Sequence, residues 1–183
     1  MPDPTLVGLC GALRADSSNR KLMFEAARLF TPDSFSELDL RFPLFDQDIQ
    51  DEQGIPAAVQ SAADAIAGAE AVLVVTPEYN KGLSGVLKNA LDWISRTEGN
   101  PWRDKPVALM SAAAGRAGGE RAQNMARLCL NPFRPRLLTG PEVMLAQSRK
   151  QFDEDGRLTD ERALKLLTEQ MQELRREVER MRG

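Results

Sequence analysis

The chain has 183 residues, 42% of them hydrophobic and 28% charged, with a formal net charge of −3. This is the length of one ordinary domain, able to bury roughly 70% of the surface its unfolded chain exposes, and the composition excludes a disordered or fibrous chain. Lys and Arg are interleaved with Asp and Glu, so no nucleic-acid partner is expected, and the lack of any histidine excludes Ser-His-Asp and Cys-His catalysis and the common zinc sites.

The opening MPDPTLVGLC has neither the basic start nor the apolar length of a signal peptide, and no stretch approaches a membrane span; a cytoplasmic location is the expectation. Four apolar runs read as strands: TLVGLC (5–10), FSELDL (35–40), AVLVVT (71–76) and PVALMSA (106–112). FSELDL alternates, as a half-exposed strand does; the others are continuous, as in a parallel sheet covered on both faces. Helical spacing of apolar residues falls between and after them, over 19–30, 57–67, 84–95 and 119–130. A weaker fifth strand is expected at 136–138, continuing into EVMLAQ (142–147). A last helix follows, with Thr159 as its N-cap and a stripe of Leu164, Leu167, Met171, Leu174, Val178 and Met181 facing the sheet. Strand and helix in alternation imply one doubly wound α/β domain. Cys10 and Cys129 have no metal-ligand spacing and read as small buried hydrophobes. Helix 84–95 carries more apolar residues than one face needs, which suggests a second partner such as a twin helix in a homodimer.

In such a sheet, ligands gather beyond the carboxyl ends of the strands. Three loops leave those ends. GALRADSSN (11–19) offers Arg14, Ser17, Ser18 and Asn19 before a helix start, a donor set that suits a phosphate, although an ordinary capped turn uses the same residues. TPEYNKG (76–82) has Pro77, Glu78, Tyr79 and Asn80 at a rigid strand exit, able to present backbone groups to a flat heterocycle or simply to turn in solvent. SAAAGRAGG (111–119) is small and glycine-rich around Arg116, letting a planar ring come close to the backbone. Neither GxxxxGK[ST] nor GxGxxG is present.

Taken together, GALRADSSNRKL, PEYNKGLSGVLKNALDW, SAAAGRAGGERAQ and PEVMLAQSRKQFDEDGRL resemble the NADPH-dependent FMN reductase family, which includes quinone, azo-dye and chromate reductases, over about residues 5–170. PEYN followed by GxLKNALDW is the most specific of these motifs. The resemblance implies a flavodoxin-like fold with a five-stranded parallel sheet in the order 2-1-3-4-5, FMN as cofactor and NADPH or NADH as cosubstrate. It implies hydride transfer at FMN N5 with no catalytic side chain, and passage of electrons in ping-pong order to a small acceptor: a quinone, azo compound, flavin or metal oxyanion such as chromate. By the same resemblance Arg14, Ser17 and Asn19 hold the FMN phosphate, Pro77, Glu78, Tyr79 and Asn80 meet the isoalloxazine, and Ser111, Gly115, Arg116, Gly118 and Gly119 flank its other side. A homodimer that pairs into a homotetramer is also implied, as is a metal-free site. A one-electron carrier of flavodoxin type is the alternative. Ala12 and Ser84 depart from the family's usual Ser and Pro.

Arg14, Lys81 and Arg116 are the cations placed to attract an anionic nicotinamide cofactor, and Arg116 is assigned the 2′-phosphate. Arg116→Ala is expected to raise KM for NADPH more than for NADH in steady-state kinetics; equal effects on both would remove that assignment.

Overall fold

A continuous apolar strand sends alternate side chains to opposite faces, and both faces here are covered. The structure, a computed structural model, describes residues 3–183. Its strands and helices run in the order β1 (Thr5–Cys10), α1 (Ser18–Phe30), β2 (Ser34–Leu38), α2 (Gln47–Gln53), α3 (Ala57–Gly68), β3 (Ala71–Thr76), β4 (Glu78–Tyr79), β5 (Gly82–Leu83), α4 (Gly85–Ile94), β6 (Pro106–Ala112), α5 (Glu120–Leu130), β7 (Arg136–Leu137), β8 (Val143–Leu145) and α6 (Glu161–Arg182). The main sheet is parallel, in the order β2-β1-β3-β6, with β7 and β8 both on the outer side of β6. That is the expected flavodoxin-like order 2-1-3-4-5.

The fifth strand is made of two pieces. β7 pairs with the start of β6 (Pro106 opposite Arg136) and β8 with its end (Met110 opposite Val143). Between them the chain carries Pro141, after a cis Gly140–Pro141 peptide. Proline has no N–H to give to a ladder, so the fifth strand, expected at 136–138 with its continuation at 142–147, is interrupted between those two segments.

Leu6, Cys10, Leu73, Val75 and Met110 face α1 and α6, where they meet Leu22, Met23, Phe30, Leu167, Met171 and Leu174. Val7, Leu9, Val72, Val74 and Leu109 face the opposite layer, with Val59, Ile66, Leu91, Ala126 and Leu130 from α3, α4 and α5. On α1, Met23 sits so close to β1 that a Cβ at Gly8 would lie 2.5 Å from its Sδ.

Helix α4 meets its second partner within its own chain. Trp93 is fully buried, donates from Nε1 to Pro43 O at 2.8 Å, and stacks edge-on against Phe45 at 5.1 Å. Asn89 reaches the same segment: its Nδ2 donates to Pro43 O at 2.9 Å, and its Oδ1 accepts from the Phe45 N–H at 2.8 Å. Part of the apolar excess on α4 is thus taken up by the 40–45 connection of the same chain. The most exposed large apolar side chains are Leu44 (81%), in that same connection, Leu128 (70%) and Tyr79 (58%).

Two local expectations shift. The cap of α6 is Asp160, whose Oδ1 accepts from the Ala163 N–H at 2.7 Å, while the Thr159 hydroxyl donates to Gln151 O at 3.2 Å. Helix α2 has no buried face to betray it in the sequence and starts on the Asp46 carboxylate, which accepts from the Asp48 N–H at 2.9 Å. Cys10 is buried, with its thiol pushed up to about 11 by desolvation, whereas Cys129 is only half-buried. Among the described residues no helix is long and apolar enough to cross a membrane.

The last helix and the turn before it are tied to α1 by charge. Arg175 Nε donates to Phe30 O at 2.8 Å, and the buried Glu25 carboxylate pairs with Arg28 at 2.8 Å and Arg157 at 3.3 Å. Burial raises the Glu25 pKa, but the two guanidinium groups outweigh it and hold the carboxyl below its usual range. A lowered carboxyl pKa contributes stability that is fully present above the ordinary glutamate value and is lost as pH falls through the folded one. Arg157→Ala should therefore lower stability by about 1 kcal/mol near neutral pH, discounted for the exposure of Arg157. In urea titrations the difference should shrink towards zero as the pH is taken below the glutamate range.

Candidate functional site

The three loops that follow β1, β3 and β6 converge above the middle of the sheet. The first begins at Gly11, whose N–H donates to Val75 O at 2.8 Å. A Cβ at Gly11 would fall 2.4 Å from Ser84 Oγ, so glycine is what lets this loop lean against the second. Ser17 caps α1, its Oγ accepting from the Asn19 N–H at 3.2 Å. The Ser18 and Arg20 amides, also in the first turn, have no partner within the helix and are available to an anion. Arg14 is exposed and pairs with Asp16 at 3.4 Å; Asp16 also meets Lys21 at 2.6 Å, a bond that lowers its pKa.

Asn19 is placed differently from the expectation. Its side chain is buried, with Nδ2 donating to Ala112 O at 2.8 Å and Oδ1 accepting from the Ala112 N–H at 2.9 Å. Both ends of the amide are thus used as a clamp between the first loop and the end of β6, and the side chain serves position instead of reaching a phosphate.

The second loop is a small hairpin, not an open turn. β4 and β5 pair antiparallel, and Asn80 (φ 49°) and Lys81 (φ 66°) both take left-handed conformations, as a two-residue hairpin turn requires. Thr76 Oγ1 donates to Pro77 O at 2.9 Å and accepts from the Ser84 N–H at 3.4 Å. Ser84 in turn caps α4, its Oγ accepting from the Leu87 N–H at 3.2 Å. Glu78 faces α5, where its Oε2 accepts from the Arg121 N–H at 3.1 Å. Pro77 is buried at the strand exit, and Tyr79 stands in solvent on the hairpin.

In the third loop Ser111 is fully buried; its Oγ donates to Gly118 O at 2.6 Å and accepts from Gln123 Nε2 at 2.9 Å. Gly118 and Gly119 have φ of 62° and 98°, and added Cβ atoms would lie 2.4 Å from Met144 O and 2.7 Å from Ser111 Oγ. No L side chain fits either place. The far side of the loop is laced to the segment after β8: Ala113 N–H to Leu145 O at 3.0 Å, Ser148 N–H to Ala113 O at 3.1 Å, and Gln147 N–H to Gly115 O at 3.1 Å. Residues 114–117, including Gly115 and Arg116, project into solvent, with nothing within 4 Å of a Cβ built at Gly115.

The arrangement is a rigid rim with exposed backbone on one side and anion-seeking groups on another. Arg14, the Ser17-capped helix start and Lys21 suit a phosphate, and the small residues Ala113, Ala114, Gly115 and Ala117 leave room for a flat group; these residues fit FMN. Ser111, Glu78 and Asn19 fasten the rim from within. Ser84 caps α4, as suits a serine at a helix start; the fasteners Thr76 and Gln123 are not marked by any local pattern, because nothing local shows which segment a buried polar group will meet.

These features define a flavodoxin-like α/β protein with a mononucleotide-type rim at its switch point. The chain belongs to the NADPH-dependent FMN reductase family, whose model matches residues 4–150 and so spans all three loops. It is 40% identical to an NAD(P)H-dependent FMN reductase of Pseudomonas aeruginosa, over 99% of this chain and 98% of that one. It is 38% identical to a quinone reductase of Escherichia coli K12 across 130 residues, 70% of this chain and 69% of the relative. FerB from Paracoccus denitrificans, described as a flavoenzyme NAD(P)H:(acceptor) oxidoreductase, superposes with a TM-score of 0.86 at 31% identity, covering 97% of this chain and 98% of its own.

Asn19→Ala should remove both clamp bonds and leave the buried Ala112 N–H and C=O unpaired, costing about 2–4 kcal/mol. A urea midpoint shift, together with loss of amide-exchange protection at Ala112, checks it; an unchanged midpoint would deny the clamp its role.

Proposed function

We propose that the protein is an NAD(P)H-dependent FMN oxidoreductase that passes electrons to a small acceptor, with quinones as the favoured class and azo compounds, free flavin or metal oxyanions such as chromate as others. The observation that carries this is the rim itself: three loops clamped to one another, matched as a set by the family model. FMN, when bound, supplies hydride acceptance from NAD(P)H and electron delivery to the acceptor. The chain's own part is to bind and orient. Arg14 and the Ser17-capped start of α1 would hold the phosphate; the exposed backbone of 114–117 and the hairpin carrying Glu78, Tyr79 and Asn80 would stand on either side of the ring. Arg116 and Lys81, both exposed, would draw in the anionic cosubstrate. With no histidine in the chain, proton delivery from water suits a site whose walls are backbone.

A homodimer, pairing further into a tetramer, goes with this reading. Leu13, Leu44 and Val86 border a shallow cleft with Phe42 next to the first loop, leaving apolar surface that a second copy would cover. A cytoplasmic location is kept with it.

The purified protein should bind FMN and show an oxidised-flavin spectrum that NADPH bleaches anaerobically without any partner enzyme, with colour returning on addition of a benzoquinone. Bound flavin that resists bleaching by both NADPH and NADH would favour a one-electron carrier instead.

A further inference from the structure

We infer that Gln170, on α6, is a positioning residue for the proposed reaction: together with Gln123 it splices the two pieces of the fifth strand and so sets where β8 holds the third loop. The role in a reaction rests on the flavin reading above; the splice itself does not. Gln170 falls within the apolar stripe of α6, among Leu167, Met171 and Leu174, and is 1% exposed. It lies beyond the 4–150 segment that the family model matches. A carboxamide is costly to bury at a core position unless its polar atoms are used, so its partners show what it does.

The ladder along β6 shows the need. Arg136 N–H donates to Lys105 O at 2.8 Å and Leu138 N–H to Val107 O at 3.0 Å. The next acceptor in that alternation is Leu109 O, but there the returning chain leaves the register. Leu137 lies opposite Val107 and Val143 opposite Met110, so residues 138–142 face only Ala108 and Leu109. Gln170 Nε2 reaches in from α6, donating to Leu109 O at 3.1 Å and to Pro141 O at 2.9 Å. From α5, in the opposite layer, the fully buried Gln123 donates from Nε2 to Val143 O at 2.7 Å and to Ser111 Oγ at 2.9 Å. Each amide therefore bridges β6 to the returning chain. Each also keeps an Oε1 without a partner among the described residues. What the splice requires is the donors, which neither an apolar side chain nor a carboxylate would supply.

The third loop hangs from β8 and the residues after it. Ala113 N–H donates to Leu145 O at 3.0 Å, Gln147 N–H to Gly115 O at 3.1 Å, and a Cβ at Gly118 would fall 2.4 Å from Met144 O. β8 is three residues long, so its own ladder to β6 is short, and the two glutamines pin the end at which the chain enters it. A shift there passes to Gly115 and Gly118, on the side of the rim proposed to flank the isoalloxazine. It does not pass to the start of α1, which would hold the phosphate. Misplacement by about 1 Å is enough to cost a reaction heavily, so a residue that touches no ligand can still govern the site.

The test sets Gln170→Met, which keeps the length of the side chain and removes both donors, against Arg157→Ala, whose loss of an ion pair with Glu25 lies away from the rim. In the flavin-free protein, exchange of the Ala113 and Gln147 amide hydrogens is expected to quicken about tenfold in Gln170→Met beyond any change in Arg157→Ala. The Gly11 N–H, bonded to Val75 O, should keep pace with the control. With flavin added, FMN and riboflavin should weaken by the same factor, about tenfold, because the loop meets the ring and not the phosphate, and the visible circular dichroism of the bound flavin should change. Exchange at Ala113 and Gln147 no faster than in the control would overturn the splice. Faster exchange with unaltered flavin affinity and dichroism would overturn the positioning role, as would a weakening of FMN alone. Should Gln170→Met not fold, the wild type still decides: the side-chain NH2 of Gln170 and the Ala113 N–H should exchange with one shared opening free energy, and unequal values would overturn the splice. A wild type that binds no flavin would end the proposed function and with it the role in the reaction, leaving the splice to stand or fall on the exchange result.

Discussion

The clamp between the Asn19 amide and the Ala112 backbone is the constraint on which the site depends. It joins the first turn of α1 to the end of β6, across the strand that lies between β1 and β6 in the sheet. A buried carboxamide with both its donor and its acceptor used is costly to disturb, because either half of the pair is left unsatisfied in a medium that offers no water. From that fixed point the third loop starts at a set height, and its glycines can be placed against Met144 and Ser111 without room for adjustment.

Each remaining loop is also held by polar side chains, through bonds both near and far in the chain. Glu78 holds the hairpin to α5, Thr76 and Ser84 hold its base, and Ser111 with Gln123 holds the glycine turn. The side chains are consumed inside the rim, so what it presents outward is largely main chain and a few cations. That division suits a reaction whose chemistry belongs to a bound cofactor: the protein supplies shape and charge, and a rigid frame avoids reorganisation when the ligand arrives.

Much of the fold was legible because the strands are apolar on both faces and the helices keep a clean three-and-four spacing. The breaks in legibility have particular causes. The fifth strand is split where Pro141 withholds an N–H. Helix α2 has no buried stripe, so no periodicity marks it. Thr159 and Asp160 are both good caps, and only the pull of Gln151 on the threonine hydroxyl decides between them. Helix α4 shows how a pattern can be accurate while its partner stays illegible: its second apolar side is real, and Trp93 buries part of it against the 40–45 connection of the same chain.

The sequence by itself determined the class of the sheet, the three loops that bear the site and the family to which they belong, because those follow from hydrophobic period and from short motifs whose residues are neighbours in the chain. Tertiary structure alone decided what each polar residue in those motifs does. Asn19, Glu78 and Ser111 turn inward as fasteners, while Gln170, far along the chain from β6, comes to donate to Leu109 O. The reason is physical: period is a local property of the chain, whereas the partner of a buried hydrogen-bonding group is chosen by whichever distant segment the packed layers bring within about 3 Å.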